Sequence, residues 1–94
     1  MLRITLRDTP QQVVLKLEGS LTGNWVMELE DCWRAASLSL GNRLLYLDLT
    51  SVHNVDEAGR YLLALLRDRG VRLIVSGLVM TAVVREIADE WRPR

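Results

Sequence analysis

The spacing of apolar residues changes several times along this 94-residue chain, and these changes constrain its fold most strongly. Apolar and polar residues alternate at 2–7 and again at 13–18, which is the period of a β-strand with one solvated face. From Asn24 onward, apolar residues recur every three or four positions, as on one side of an α-helix. That stripe comprises Trp25, Leu29, Cys32, Trp33 and Ala36. We therefore predict a β-hairpin followed by a helix with Asn24 as its N-cap.

The middle of the chain continues with another strand and another helix. Residues 44–49 are almost all apolar, which is typical of a strand covered on both faces in a parallel sheet. We predict that residues 50–55 form a loop. A second helix is then predicted to begin after the N-cap Asp56 and to end at Gly70, because glycine readily adopts the left-handed conformation that stops a helix.

The chain ends with a predicted strand at residues 71–75 and a helix from near Thr81 to Trp91, just before Pro93. The order of elements is then β-β-α-β-α-β-α. Because crossovers between parallel strands are right-handed, the simplest arrangement is a four-stranded, mostly parallel sheet in the order 1-2-3-4, with an antiparallel first strand. The fold class is α/β. We expect residues 1–94 to form a single domain, since the chain is too short for a second core.

The charge balance argues against several classes of partner. Twelve basic and twelve acidic residues cancel, and the basic residues form no run, so binding to nucleic acid is not expected. No apolar stretch reaches the length of a membrane span, and the N-terminus lacks the apolar core of a signal peptide. We predict a cytoplasmic protein that does not insert into a membrane.

The residues that usually carry catalysis or bind metals are scarce. His53 and Cys32 are the only histidine and the only cysteine, so no histidine pair can bind a metal ion and no intrachain disulfide can form. Cys32 lies on the apolar stripe of the first helix and is interpreted as an unreactive core residue. We predict no catalytic site, no metal site and no cofactor. An enzyme or a small-ligand binder is therefore the least favoured class of function.

The three tryptophans stand out in a chain without phenylalanine. Trp25, Trp33 and Trp91 occur at helical spacing, which favours packing in the core and at its edge. The alternative is that Trp25 or Trp91 anchors a partner surface.

The start of the second helix combines an acidic residue with a glycine. Glu57 lies in the first turn, where the partial positive charge of the helix end favours an acid. Gly59 lies inside the helix, where glycine costs up to about 1 kcal/mol relative to alanine. We therefore predict that another backbone packs closely against Gly59.

Three short segments resemble the STAS domain family, which includes bacterial anti-sigma-factor antagonists and the cytosolic domains of sulfate transporters. Val14–Leu21 resembles a strand followed by Gly-x-Leu, Leu47–Val52 resembles Asp-Leu-Ser-x-Val, and Val55–Gly59 resembles the family's Asp-Ser-x-Gly helix start. The segments have the family's order and spacing, and the resemblance extends from about Leu2 to about Trp91. It implies the α/β fold predicted above and a regulatory, protein-binding function.

The chain departs from the antagonists at two positions. In the antagonists, a partner kinase phosphorylates the Ser or Thr directly after the Asp of this helix start, and phosphorylation releases the antagonist from the kinase. The equivalent residue here is Glu57, which has no hydroxyl group, and Ala58 has none either. Thr22 stands where the antagonists usually have an acidic residue. Three interpretations of Glu57 are open: it imitates a phosphorylated residue, it makes the domain insensitive to the kinase, or it simply suits the start of a helix.

The resemblance also implies a contact surface, predicted to extend over residues 52–67. The predicted partner-binding residues are Thr22, Asn54, Asp56, Glu57, Ala58, Gly59, Arg60 and Leu63. Leu63 and Tyr61 are predicted to be exposed within a polar rim. The predicted partner is an anti-sigma factor or a kinase, and a homodimer is a further option.

An alternative function is a small cytosolic subunit of an ABC-type lipid-trafficking transporter, with the transporter ATPase as its partner. Such subunits carry Asp-Thr-Ala-Gly at the same helix start, and residues 56–59 differ from it only at Glu57.

Overall fold

A computed structural model describes residues 1–90 of the chain and shows the predicted order of strands and helices. Trp91 and Pro93 lie outside the described residues, so the predictions for them are untested. The elements are β1 (Leu2–Asp8), β2 (Gln12–Leu21), α1 (Asn24–Leu38), β3 (Leu44–Val55), α2 (Glu57–Asp68), β4 (Arg72–Ile74) and α3 (Leu78–Glu90).

The four strands form one sheet in the order β1-β2-β3-β4, which confirms the predicted topology. β1 pairs with β2 in the antiparallel direction, whereas β2 with β3 and β3 with β4 are parallel pairs. Consecutive parallel strands are joined by α1 and α2, as crossover connections require.

One face of the sheet carries the core, and the opposite face is open. Alternate residues of the two central strands are buried, with Val13, Leu15 and Leu17 on β2 beside Leu45, Leu47 and Leu49 on β3. Their neighbours on the other face, including Lys16, Tyr46 and Asp48, are only half-buried. The prediction that β3 is covered on both faces is therefore wrong. The apolar run is continuous because Leu44 and Tyr46, which alternate with the buried residues of β3, are apolar as well.

β3 is longer than predicted, because residues 50–55 continue the strand instead of forming a loop. Its pairing with β2 shifts register twice, between Lys16 and Glu18 and between Gly19 and Ser20. Near the first shift, the Asp48 carboxylate accepts hydrogen bonds from the Thr50 N–H at 2.9 Å and the Thr50 hydroxyl at 2.7 Å. Such irregularities add residues to one strand and interrupt the alternation by which strands are predicted.

The helix boundaries and faces differ slightly from the prediction. Gly23, not Asn24, is the N-cap of α1, and α3 begins at Leu78 rather than near Thr81. On α1 the buried residues are Val26, Leu29 and Ala36, and the side chains of Trp25, Cys32 and Trp33 pack against them while half-buried. Leu29 and Ala36 of the predicted stripe are therefore in the core, whereas Trp25, Cys32 and Trp33 lie at its edge.

Candidate functional site

The carboxylate of Asp56 joins the β2–α1 loop to the start of α2. One carboxylate oxygen accepts a hydrogen bond from the Gly23 N–H at 2.9 Å, and the other accepts one from the Gly59 N–H at 2.8 Å. The Asp56 N–H donates to the carbonyl oxygen of Leu21 at 3.3 Å. The predicted N-cap is therefore confirmed. The same side chain also holds a loop 33 residues away along the chain.

The hydrogen bonds to Asp56 favour its ionised form. Those from the Gly23 and Gly59 backbones lower the pKa of Asp56 below its ordinary value. A carboxyl group whose pKa is lower in the folded state stabilises the fold at pH values above its unfolded pKa. That contribution is lost as the pH falls through the folded pKa.

We expect the free energy of unfolding to fall as the pH is lowered from about 5 to about 3, because the ordinary pKa of aspartate is about 3.9. In Asp56→Asn this fall should be less steep, because the variant lacks the carboxyl group that titrates. Asparagine keeps one oxygen to accept from Gly59, but its amide nitrogen cannot accept from Gly23. Urea unfolding at a series of pH values measures this difference. Asp31→Asn, on the exposed surface of α1, is the control and should keep the wild-type slope. If Asp31→Asn reduced the pH dependence of the free energy of unfolding as much as Asp56→Asn does, that dependence could not be assigned to Asp56.

Gly59 confirms the predicted close approach of another backbone. A Cβ atom at this position would lie 2.7 Å from the carbonyl oxygen of Leu21 and 2.8 Å from Cγ1 of Val55. The first turn of α2 therefore packs directly against the end of β2. Together, Gly59 and Asp56 set the position of the two exposed residues between them in sequence, Glu57 and Ala58.

The surface at this end of the domain is formed by residues from two segments. Glu57, Ala58 and Asn54 are exposed, and Thr22 is half-buried beside Gly23. We call these four predicted residues the α2 N-terminal surface. Arg60 is half-buried and forms an ion pair with Glu86 of α3 at 2.9 Å, so its charge is partly neutralised within the domain.

The placement of Leu63 on the partner surface is wrong. Its side chain is fully buried, with a relative exposure of 0%. The buried residues of α2 are Gly59, Leu62, Leu63, Ala64 and Leu66, so the buried face of the helix includes Leu63. Gly59 is buried too, so it cannot contact a partner directly and instead sets the position of the exposed residues next to it. Tyr61, predicted beside Leu63, is 58% exposed.

Gly23 is a functional residue of the site that the sequence interpretation missed. It caps α1 in a conformation with φ 58° and donates the hydrogen bond to Asp56. Glycine adopts positive φ without the steric cost that a Cβ atom adds. A glycine between a strand and a helix was the available signal, but nothing local connected it with Asp56.

The remaining candidates for chemistry show no catalytic arrangement. His53 is exposed on β3. Burial, with the nearby charges of Glu28 and Asp31, raises the pKa of the Cys32 thiol, which makes it a poorer nucleophile at neutral pH. Among the described side chains of residues 1–90, no cluster of three or more His, Cys, Asp or Glu is placed to hold a metal ion. None of the helices described there is long and apolar enough to cross a membrane.

Comparison with solved structures identifies the architecture. The chain is similar to a DUF3478-family protein of Shewanella loihica PV-4 that is described as having a SpoIIAA-like fold. The similarity covers 95% of this chain and 79% of that one, with a TM-score of 0.60 and 15% sequence identity. This chain has a SpoIIAA-like fold. The fold is STAS-like and confirms the architecture that the sequence resemblance implied.

The chain is also similar to part of a longer protein. The chain is similar to part of Mglu, with 27% identity and a TM-score of 0.59 over 79% of this chain. A structure of Mglu in its native form matches with 22% identity and a TM-score of 0.56. The chain covers only 19% and 22% of the lengths of those two Mglu chains. No protein-family model and no curated protein sequence matches the chain.

Proposed function

We propose that this SpoIIAA-like domain is a non-catalytic regulatory module that binds a partner protein in the cytoplasm through its α2 N-terminal surface. The observation that carries the proposal is the carboxylate of Asp56, which hydrogen-bonds Gly23 and Gly59 at once. It joins two segments into one surface and leaves Glu57 and Ala58 exposed. A preformed surface of this kind suits protein binding, because little ordering is needed when the partner docks.

The resemblance to anti-sigma-factor antagonists makes an anti-sigma factor or a related kinase the expected partner. Glu57 occupies the position of the phosphorylated residue but offers no hydroxyl group. Its charge is about half that of a phosphoserine, which is roughly −1.5 to −2 at neutral pH. We therefore propose that the domain does not respond to phosphorylation at this position and remains in one binding state.

A matched pair of alanine substitutions tests the contact surface. Ala58 and Ala82 are both exposed on helices, but Ala82 lies on α3. We expect Ala58→Glu to lose the partner that the wild-type domain captures from its native cell lysate, because the longer side chain disturbs the contact. Ala82→Glu should retain it. Mass spectrometry identifies the partner, and titration of the purified pair measures a decrease in affinity of about tenfold or more, or about 1.4 kcal/mol.

The identity of the captured protein separates the possible functions. An anti-sigma factor with a kinase-like sequence supports the regulatory proposal. A transporter ATPase supports the alternative of a small subunit of an ABC-type lipid-trafficking transporter. Equal capture by Ala58→Glu and wild type would mean that the partner binds elsewhere.

Two substitutions of Glu57 then test its role on that complex. If Glu57→Ser is phosphorylated by the captured kinase, the site is a phosphorylation switch that the glutamate has disabled. If Glu57→Ala leaves the affinity unchanged, Glu57 does not imitate a phosphate and only suits the start of α2.

A further inference from the structure

An apolar groove lies at the opposite end of α2 from Glu57. The helix has 12 residues, so its ends are about 18 Å apart. A cavity of about 780 Å³ opens between the C-terminal half of α2, the start of β4 and α3. Its apolar lining consists of Leu44, Ala64, Val71, Leu73, Val84 and Ile87. This volume lies within the range of roughly 300–1,000 Å³ that is typical of small-molecule sites.

A second cavity adjoins the first. Its volume is about 380 Å³, and it shares the lining residues Leu44, Gly70 and Val71 with the larger cavity. It continues toward Trp33 and Leu40. We call the two together the α2–β4 groove. The apolar lining residues of both cavities favour a ligand with a hydrocarbon chain over a compact polar molecule.

Arginines dominate the charged lining of the groove. Arg67 and Arg72 line the larger cavity, and Arg69 lines the smaller one. Arg43 also lines the smaller cavity, but it pairs with the Asp8 carboxylate. Asp68 is the one acidic residue among the described lining residues, so Arg67, Arg69, Arg72 and Asp68 together carry a net charge of +2. This excess contrasts with a chain whose formal net charge is +0. The groove therefore attracts an anion.

The three arginines are available to bind a ligand. At the end of α2, the carbonyl oxygens of Leu65, Leu66 and Arg67 already accept backbone hydrogen bonds of 3.0–3.1 Å from Arg69, Val71 and Gly70. The arginine side chains are thus not needed to cap the helix. Among the side chains that the structure describes, no ion pair joins Arg67, Arg69 or Arg72 to a carboxylate. Arg43, which also lines the groove, instead donates to the carbonyl oxygens of Leu40 and Thr9 at 2.9 Å.

We propose that the α2–β4 groove binds an unbranched aliphatic carboxylate of the medium-chain fatty-acid class. The alkyl chain lies along the apolar lining, and the carboxylate lies at the mouth beside Arg67 and Arg72. A guanidinium group pairs well with a carboxylate because it donates two parallel hydrogen bonds. This site is separate from the α2 N-terminal surface, so the proposal does not depend on the proposed function.

Titration of the 94-residue chain with decanoate tests the proposal, with decanol and decyltrimethylammonium as probes of equal chain length. All three are kept below their micelle concentrations, and calorimetry and ¹H–¹⁵N spectra are the readouts. We expect one decanoate to bind per chain and to perturb the signals of Val71 and Leu73. The double variant Arg67→Gln/Arg72→Gln should weaken decanoate binding about tenfold or more. Arg85→Gln should not, because Arg85 lies on α3 and does not line the groove.

A second variant tests the groove without changing charge. Val84→Phe places a larger apolar side chain in the larger cavity, and its circular dichroism and thermal transition report whether the domain remains folded. Loss of decanoate binding in the folded variant supports the site. Decanol binding as tightly as decanoate would overturn the role of the arginines. Absence of decanoate binding to the wild type, or equal binding by the groove variants, would overturn the proposal as a whole.

Discussion

Leu63→Asp is expected to unfold the domain. The Leu63 side chain has 0% exposure and belongs to the cluster of buried residues beneath the sheet. An ionised carboxylate there would lose its hydration with no buried cation to pair with, since the buried residues that the structure describes are all nonpolar. The cost is on the order of 4–5 kcal/mol or more, against a total stability of about 5–15 kcal/mol for a typical domain.

Circular dichroism and urea unfolding measure this effect, and Leu38→Asp is the matched control. Leu38 ends α1 and is 91% exposed. The same chemical change there should cost about 1 kcal/mol or less, mainly because a negative charge is unfavourable at the end of a helix. If Leu63→Asp unfolded at the same urea concentration as this control, Leu63 would lie on the surface, as the sequence interpretation had placed it.

Gly59→Ala is expected to destabilise the domain, although the same change stabilises most helices. Alanine is favoured over glycine in a helix interior by up to about 1 kcal/mol. Here the added Cβ would lie 2.7 Å from the Leu21 carbonyl oxygen. This oxygen belongs to the backbone, so it cannot move away by a change of side-chain rotamer. Separating α2 from β2 to relieve this contact should cost about 1–3 kcal/mol net, as other overpacking substitutions do.

The reverse substitution at the neighbouring position is the control for Gly59→Ala. Ala58 is exposed in the first turn of α2, so Ala58→Gly should cost only the helix preference, about 1 kcal/mol or less. Urea unfolding of both variants separates steric contact from helix preference. An increase in stability on Gly59→Ala would show that no backbone approaches this position closely.

The sequence alone determined the order of elements and the topology of the sheet. The periods of two and about 3.6 residues are local properties of strands and helices, so they can be read without knowledge of distant contacts. The right-handed crossover rule then limits how consecutive parallel strands connect, and the order β1-β2-β3-β4 follows. The helix start at Asp56 and the close packing of Gly59 were predictable for a similar reason, because capping and helix propensity depend on a few adjacent residues.

Only the tertiary structure decided which side of each element faces the core. The two register shifts in β3 depend on its pairing with β2, and they interrupt the alternation that predicts a strand. Leu63 is buried rather than exposed because the buried face of α2 includes Leu62, Leu63 and Ala64, and packing decides which face of a helix is buried. The open face of the sheet followed from where the helices dock, which the apolar run at residues 44–49 did not reveal.

The functional features that the sequence missed all join residues far apart in the chain. Asp56 and Gly23 are 33 residues apart, and their hydrogen bond exists only because β2 and β3 end side by side. The α2–β4 groove likewise combines residues from β3, α2, β4 and α3, none of which forms a motif. Local patterns determine the elements, whereas surfaces and cavities arise from the packing of several elements, which local patterns do not encode.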